Sequence, residues 1–128
     1  MELFDKGEEN KAFAKFFTGT SYLSTLTTDG VKIYNVTFLP GCRNHWHIHR
    51  GGGQILLVTD GRGYYQAWGQ PARALKAGDV VEIPPDVKHW HGAAKDSEFC
   101  HLAVEIPSDN GYCEWLEEVA DKDYRQLP

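Results

Sequence analysis

All six histidines of the chain fall in three short stretches: His45, His47 and His49, then His89 and His91, then His101. Imidazole is the commonest protein ligand for zinc, iron, nickel, manganese and copper. In an extended strand alternate side chains share a face, so His45, His47 and His49 project together, as do His89 and His91. One divalent transition-metal ion held by His47, His49 and His89 is the chemistry this spacing favours. A lone strand histidine is more often a hydrogen-bonded or solvated structural group, and His45, at the start of its strand, is expected on the rim. In Phe99-Cys100-His101-Leu102-Ala103-Val104-Glu105, alternation separates Cys100, Leu102 and Val104 from His101 and Glu105. If the second face lines a cavity, His101 is a base beside a cation, kept neutral by that charge, and Glu105 orients the ring or offsets the shift. His91 is a second candidate for contacting substrate. For both residues the alternative is a structural hydrogen bond.

The elements that must position these groups are strands. From Phe16 to Ile106 the sequence alternates β-branched and aromatic runs with glycine and proline, and helical periodicity is almost absent. Strands are expected over residues 19–27, 31–39, 45–49, 54–59, 63–68, 72–76, 79–83, 89–93 and 98–106. Asp29-Gly30, Pro40-Gly41, Asp60-Gly61, Ala77-Gly78 and Pro84-Pro85-Asp86 supply the positive or pre-set φ of tight turns between them. Turns at this spacing predict an all-β sandwich or barrel. Trp46 and Trp90 neighbour histidines in sequence, so alternation turns them to the opposite face, as packing or dimer contact. After Pro107, Trp115, Leu116 and Val119 at helical spacing predict a short C-terminal helix outside the barrel, with Asp121 capping a last turn through Tyr124. Residues 1–14 read as a mobile arm or an early edge strand.

With 128 residues and 41% hydrophobic content, the chain can close one core but not two, so a single domain over residues 1–128 is expected. Its parts would be an arm over 1–15, a barrel over about 16–107 and a helical segment over 110–127. Cys42, Cys100 and Cys113 form no CxxC pair and read as reduced thiols. A formal charge of -5 without a basic cluster argues against nucleic acid. No run approaches the roughly 18 apolar residues of a membrane span, and no signal-like N-terminus is visible, so a soluble cytoplasmic protein acting on a small molecule is expected.

Two motifs narrow this reading. Gly41, five residues, His47-x-His49, four residues, Gln54, six residues and Gly61 are followed by Gly78, five residues, Pro84-x-Asp86, two residues and His89. In these spacings the chain resembles the cupin family. The resemblance implies a jelly-roll β-barrel, often a homodimer, with one ion held by His47, His49, Gln54 and His89. Gln54 stands where most cupins have glutamate, and Asp86 where they have glycine. An amide oxygen cancels none of the ion's charge, leaving a more cationic site that favours anions and Lewis-acid chemistry. Phe17-Thr18-Gly19-Thr20, Gln54, Lys88-His89-Trp90-His91-Gly92 and His101-Leu102-Ala103 look most like the small bacterial cupins that include manganese-dependent hydroxynitrile lyases. That likeness implies manganese as the metal, with iron, nickel, cobalt or zinc also suited to the ligands, and His101 as proton acceptor with His91 as helper. Those relatives commonly have three residues where this chain has Arg50-Gly51-Gly52-Gly53, a difference expected to displace Gln54. Cupins also host iron-dependent dioxygenases, isomerases and non-catalytic ligand-binding modules, and these readings stand beside the lyase.

Overall fold

The computed structural model describes residues 3–128, so Met1 and Glu2 of the expected arm lie outside the described residues. Antiparallel strands curl into a jelly-roll barrel of two walls. One wall contains β1 (Glu8–Glu9), β3 (Ser21–Thr25), β4 (Ile33–Phe38), β11 (Phe99–Glu105), the first half of β7 (Gln54–Ala67) and β9 (Val80–Ile83). The other contains β2 (Phe17–Thr18), β5 (Arg43–Asn44), β10 (His89–Ala93), the second half of β7, and β8 (Arg73–Lys76). On this wall β6 (His47–Arg50) pairs with β10 and with β12 (Tyr112–Trp115).

β7 corrects the expectation of two strands at 54–59 and 63–68. It runs unbroken from one wall to the other and bends at Asp60-Gly61, where Gly61 has φ 74°. A Cβ at Gly61 would run into the Glu98 carbonyl oxygen, so only glycine allows this approach. The turn signal is therefore used as a bend within a ladder. β11 follows it with a register shift between Cys100 and His101.

The two ends of the chain also differ from expectation. Of the alternatives for the arm, the edge strand forms: Glu8 and Glu9 pair with Leu23 and Tyr22. The helical segment expected over 110–127 shrinks to α1 (Asp121–Arg125), while Tyr112–Trp115 is β12. The free edge of β6 accepts those four residues, and Cys113 and Trp115 turn inward while Tyr112 stays exposed. Trp115, Leu116 and Val119 fit a helical period, but three positions cannot outweigh an unpaired strand edge. Asp121 does not cap α1 with its side chain; it is the first helical residue, and its carboxylate pairs with the Arg43 guanidinium.

Two apolar clusters result. Phe38, Leu56, Val58, Val81, Ile83 and Phe99 fill the barrel interior, with Phe38 and Phe99 packed against the His101 ring. Trp46, Tyr64, Trp90, Ala94, Val119 and Tyr124 pack on the opposite face of the second wall, under the C-terminal segment, where alternation placed the two tryptophans. Cys42 and Cys100 are buried, Cys113 is half-buried, and all three are free thiols. Among the described residues no helix is long and apolar enough to cross a membrane.

Candidate metal centre

β6 and β10 pair so that His47 lies opposite His89, and His49 follows on the same face of β6. The ring centroids of His47 and His89 are 4.2 Å apart, those of His47 and His49 5.2 Å, and those of His49 and His89 5.4 Å. One nitrogen from each of the three lies within 4.8 Å of the others, a spacing that could hold one metal ion. Backbone carbonyls set the tautomers. His47 Nδ1 donates to the His45 oxygen and His89 Nδ1 to the Val87 oxygen, each at 2.8 Å. A proton held at Nδ1 leaves Nε2 with its lone pair available, the form in which imidazole binds metals. The Nε2 atoms of His49 and His89 are buried and have no hydrogen-bond partner. Burial is the main cause that lowers the pKa of all three: His89 falls to about 4, His47 well below the ordinary value, and His49 in the same direction. Neutral rings with unused lone pairs are costly to bury alone, and a cation would satisfy them.

Gln54 lies beside these histidines. It is buried on the wall of the cavity that His47 and His49 line, and its Oε1 makes no hydrogen bond of ordinary geometry. The four-residue connection does not carry its side chain away. Gly51, with φ 94°, turns the chain, and Gly52 and Gly53 press so close to the Ile106 and Ile83 carbonyl oxygens that a Cβ at either would clash. The glycines absorb the additional residue. Asp86, with φ 68°, holds the left-handed conformation that explains why a glycine is usual there, and its amide donates to the His49 oxygen at 2.8 Å.

His45 corrects the simple alternation. Gly92 of β10 pairs with Arg43, but His89 pairs with His47, so the β5–β6 side carries one extra residue, as in a β-bulge. The His45 amide donates to the Phe16 oxygen and the Trp46 amide to the Glu117 oxygen, which takes this bend out of the ladder. Beyond the bulge the faces exchange. His45 turns to Phe16 and Glu118, and Asn44 faces the cavity instead.

Asn44 was not singled out by the sequence. Its Oδ1 accepts from the His91 amide at 2.9 Å, and its Nδ2 reaches the His91 ring, 3.2 Å from Nε2. Trp115 was missed as a cavity residue because it was placed on a helix; its indole stacks on Phe16 and lies 4.7 Å from the His47 ring. A buried asparagine two residues before a bend carries no local signal, whereas the inward alternation of Cys113 and Trp115 was visible.

The cavity has a volume of about 210 Å³, and His91 and His101 share it with His47, His49 and Gln54. His101 is fully buried; its ring lies 4.9 Å from that of His91 and 5.6 Å from that of Phe38. Neither ring nitrogen of His101 makes a hydrogen bond of ordinary geometry; the Leu102 backbone lies near enough to pull the pKa up, against the larger effect of burial. Burial lowers the His101 pKa to about 4 and takes that of His91 well below its ordinary value, so both rings are neutral near pH 7. Glu105 faces the same cavity as expected, but it does not orient His101. Its Oε1 accepts from Gln54 Nε2 at 3.0 Å. The two residues share a face, but four residues of extended strand, roughly 13 Å, separate them, and the ladder puts Gln54 directly opposite Glu105.

The Cupin domain family model matches residues 34–105. A curated (R)-mandelonitrile lyase from Granulicella tundricola is 40% identical over 132 aligned positions, covering 98% of this chain and all of that protein. A crystal structure of a cupin-like protein from Thermotoga maritima is 46% identical and superposes with a TM-score of 0.91, covering 98% of this chain and 96% of that one. A predicted oxalate decarboxylase from the same organism shares the fold at 21% identity, with a TM-score of 0.69 over 77% of this chain and 90% of that one. From Tyr34 to Glu105 by the family model, and over nearly its whole length by the first relative, the chain belongs to the cupin family.

Proposed function

We propose that this cupin is a metal-dependent lyase that cleaves and forms small cyanohydrins, with His47, His49, Gln54 and His89 holding the ion and His101 acting as general base. The observation that carries the proposal is the placement of His101: a buried, neutral imidazole, neither nitrogen in a hydrogen bond of ordinary geometry, on the wall shared with Gln54, His47 and His49. A relative 40% identical over its full length is a mandelonitrile lyase, which supports the choice of reaction. Three nitrogens and one oxygen suit manganese, and also iron, nickel, cobalt or zinc. A bound divalent ion supplies a Lewis acid for an alcohol or carbonyl oxygen.

The chain's own residues supply the proton transfers. In the cleavage direction the cyanohydrin hydroxyl proton passes to a His101 ring nitrogen, the C–C bond to the nitrile breaks, and its electron pair leaves as cyanide. The His101 proton then moves to cyanide, giving hydrogen cyanide and the aldehyde. A ring whose pKa is about 4 surrenders that proton readily, so the base is regenerated at neutral pH. Asn44 holds His91 beside His101, where the ring restricts how a small substrate can lie. Phe17, Val36, Phe38 and Ala103 make much of the remaining wall apolar, which disfavours water there.

Mandelonitrile cleavage, followed by benzaldehyde absorbance, tests the reading with protein loaded with Mn²⁺, Fe²⁺ or Zn²⁺. Wild-type protein should turn over, and His101→Ala should lose roughly 10²–10⁴-fold in kcat while still binding metal. Equal rates for His101→Ala and wild type, or no rate above buffer with any of the ions, would overturn it.

A further inference from the structure

Gln54 and Glu105 face each other across the ladder between the start of β7 and the end of β11, and both line the cavity. A glutamine side chain can present either its oxygen or its NH2 group, and the two ends are almost the same shape. Which end reaches a cation decides whether the contact attracts or repels. We propose that Glu105 is a positioning residue: by accepting from Gln54 Nε2, it holds the amide so that Oε1, and never the NH2 group, faces the cluster of His47, His49 and His89.

Three observations carry the proposal. The contact between Gln54 Nε2 and Glu105 Oε1 is 3.0 Å long, an ordinary hydrogen bond. A carboxylate only accepts, so it can bond the amide by the NH2 end alone. Finally, the other end, Oε1, is buried with no hydrogen bond of ordinary geometry, as are the Nε2 atoms of His49 and His89, and Gln54 lies within reach of the His49 ring. Neither end of the Gln54–Glu105 pair is free to drift: the Glu105 amide donates to the Lys32 oxygen at 3.0 Å and the next amide, of Ile106, to the Gly53 oxygen at 3.0 Å. Ligand and positioning residue are thus pinned by neighbouring backbone bonds. The pair also divides what a single glutamate ligand would do, with the oxygen donor on Gln54 and the carboxylate one hydrogen bond further out.

The inference rests on the metal-binding part of the reading above and not on the reaction, so the test reads metal affinity. Mn²⁺ binding is titrated for wild type, Glu105→Gln, Glu105→Leu, Gln54→Ala and Gln54→Ala/Glu105→Gln, and thermal melts of the metal-free proteins check folding. Glu105→Gln keeps the shape but can donate as well as accept, which frees the Gln54 amide to turn over. Glu105→Leu removes the acceptor. Both should weaken Mn²⁺ binding by roughly 10-fold, at the lower end of what partners of metal ligands contribute. The d–d absorption bands of Co²⁺-loaded protein should shift in both, because the oxygen donor is lost or mixed. In the Gln54→Ala background, Glu105→Gln should have no further effect, since there is no amide left to orient.

Unchanged Mn²⁺ affinity in Glu105→Gln would overturn the proposal. An equal loss with and without Gln54 would overturn it too, by showing that Glu105 acts through its charge alone. Wild-type protein that binds no Mn²⁺ or Co²⁺ would remove the metal centre and this inference with it. Absent mandelonitrile turnover in a protein that titrates normally with Mn²⁺ sinks only the lyase reading, and the affinity series still decides this one.

Discussion

The two faces of the wall built from β6 and β10 carry opposite kinds of polar group. On the outer face the buried polar groups are satisfied with one exception, Arg43 Nε: Trp90 Nε1 donates to Gln66 Oε1 at 2.9 Å, and the Tyr124 hydroxyl donates to the Ala93 oxygen at 2.6 Å. The Arg43 guanidinium lies 4.2 Å from the Tyr124 ring centre and bonds Asp121 and the Val119 oxygen. On the inner face, His49, His89, His101 and Gln54 leave buried nitrogen and oxygen atoms without partners. Side chains one residue apart in β10 therefore belong to different economies. Burial with satisfied hydrogen bonds stabilises the barrel, whereas burial of unsatisfied acceptors costs stability and makes sense only if something binds them.

Trp90 and His89 give the largest contrast. Trp90→Ala removes a fully buried ring from the outer cluster and should cost about 3–5 kcal/mol in urea unfolding of the metal-free protein. His89→Leu should cost far less metal-free stability at pH 7, about 1 kcal/mol, because it removes the unsatisfied buried Nε2 at the expense of one hydrogen bond, from Nδ1 to the Val87 oxygen. The same variant should lose stoichiometric metal in elemental analysis. A His89→Leu loss as large as that of Trp90→Ala would mean that the inner face is structural after all.

How far the sequence revealed this division depends on where pairing is local. His47, His49 and His89 were legible because strand alternation and glycine turns are properties of a few consecutive residues. Trp46 and Trp90 followed from the same alternation. His45 and Asn44 were not legible, since their exchange depends on a bulge fixed by the Phe16 and Glu117 carbonyls, far away in the chain. Trp115 was assigned to the wrong element because the free edge of β6, which draws it into a strand, is created by the rest of the fold. The Gln54–Glu105 contact requires knowing the ladder register, and the register shift in β11 lies only a few residues from it.

The inner face should also show itself as acid sensitivity in the metal-free protein. His89 and His101 have folded pKa values lowered to about 4, against an ordinary value of 6.5, with burial as the main cause. Below pH 6.5 the unfolded chain takes up protons that the folded one refuses, so stability falls as the pH drops from about 6.5 to about 4 and levels off below that. Each ring contributes at most about 1.4 kcal/mol per pH unit within this window. Urea unfolding in the presence of a chelator at pH 7.5 and pH 5 measures the loss, and His101→Leu should shrink it by roughly 2 kcal/mol. A loss that is the same in His101→Leu would show that the ring is protonated in the folded state at pH 5, contrary to its surroundings.

Tyr124→Phe is the finest probe, because it removes one oxygen and nothing else from the outer face. The Tyr124 hydroxyl lies beneath the C-terminal segment and ties α1 to β10 through the Ala93 oxygen. Its loss deletes one buried hydrogen bond and should cost about 1 kcal/mol in metal-free stability. Ala93 ends the strand that begins with His89, so the same hydroxyl could also hold β10 in place for the histidines. If the two faces are energetically separate, Mn²⁺ affinity in Tyr124→Phe stays within about twofold of wild type, since residues several ångströms apart without shared partners add independently. A clearly larger loss of affinity would show that β10 transmits strain from one face to the other. The satisfied outer face would then be part of what preorganises the inner one.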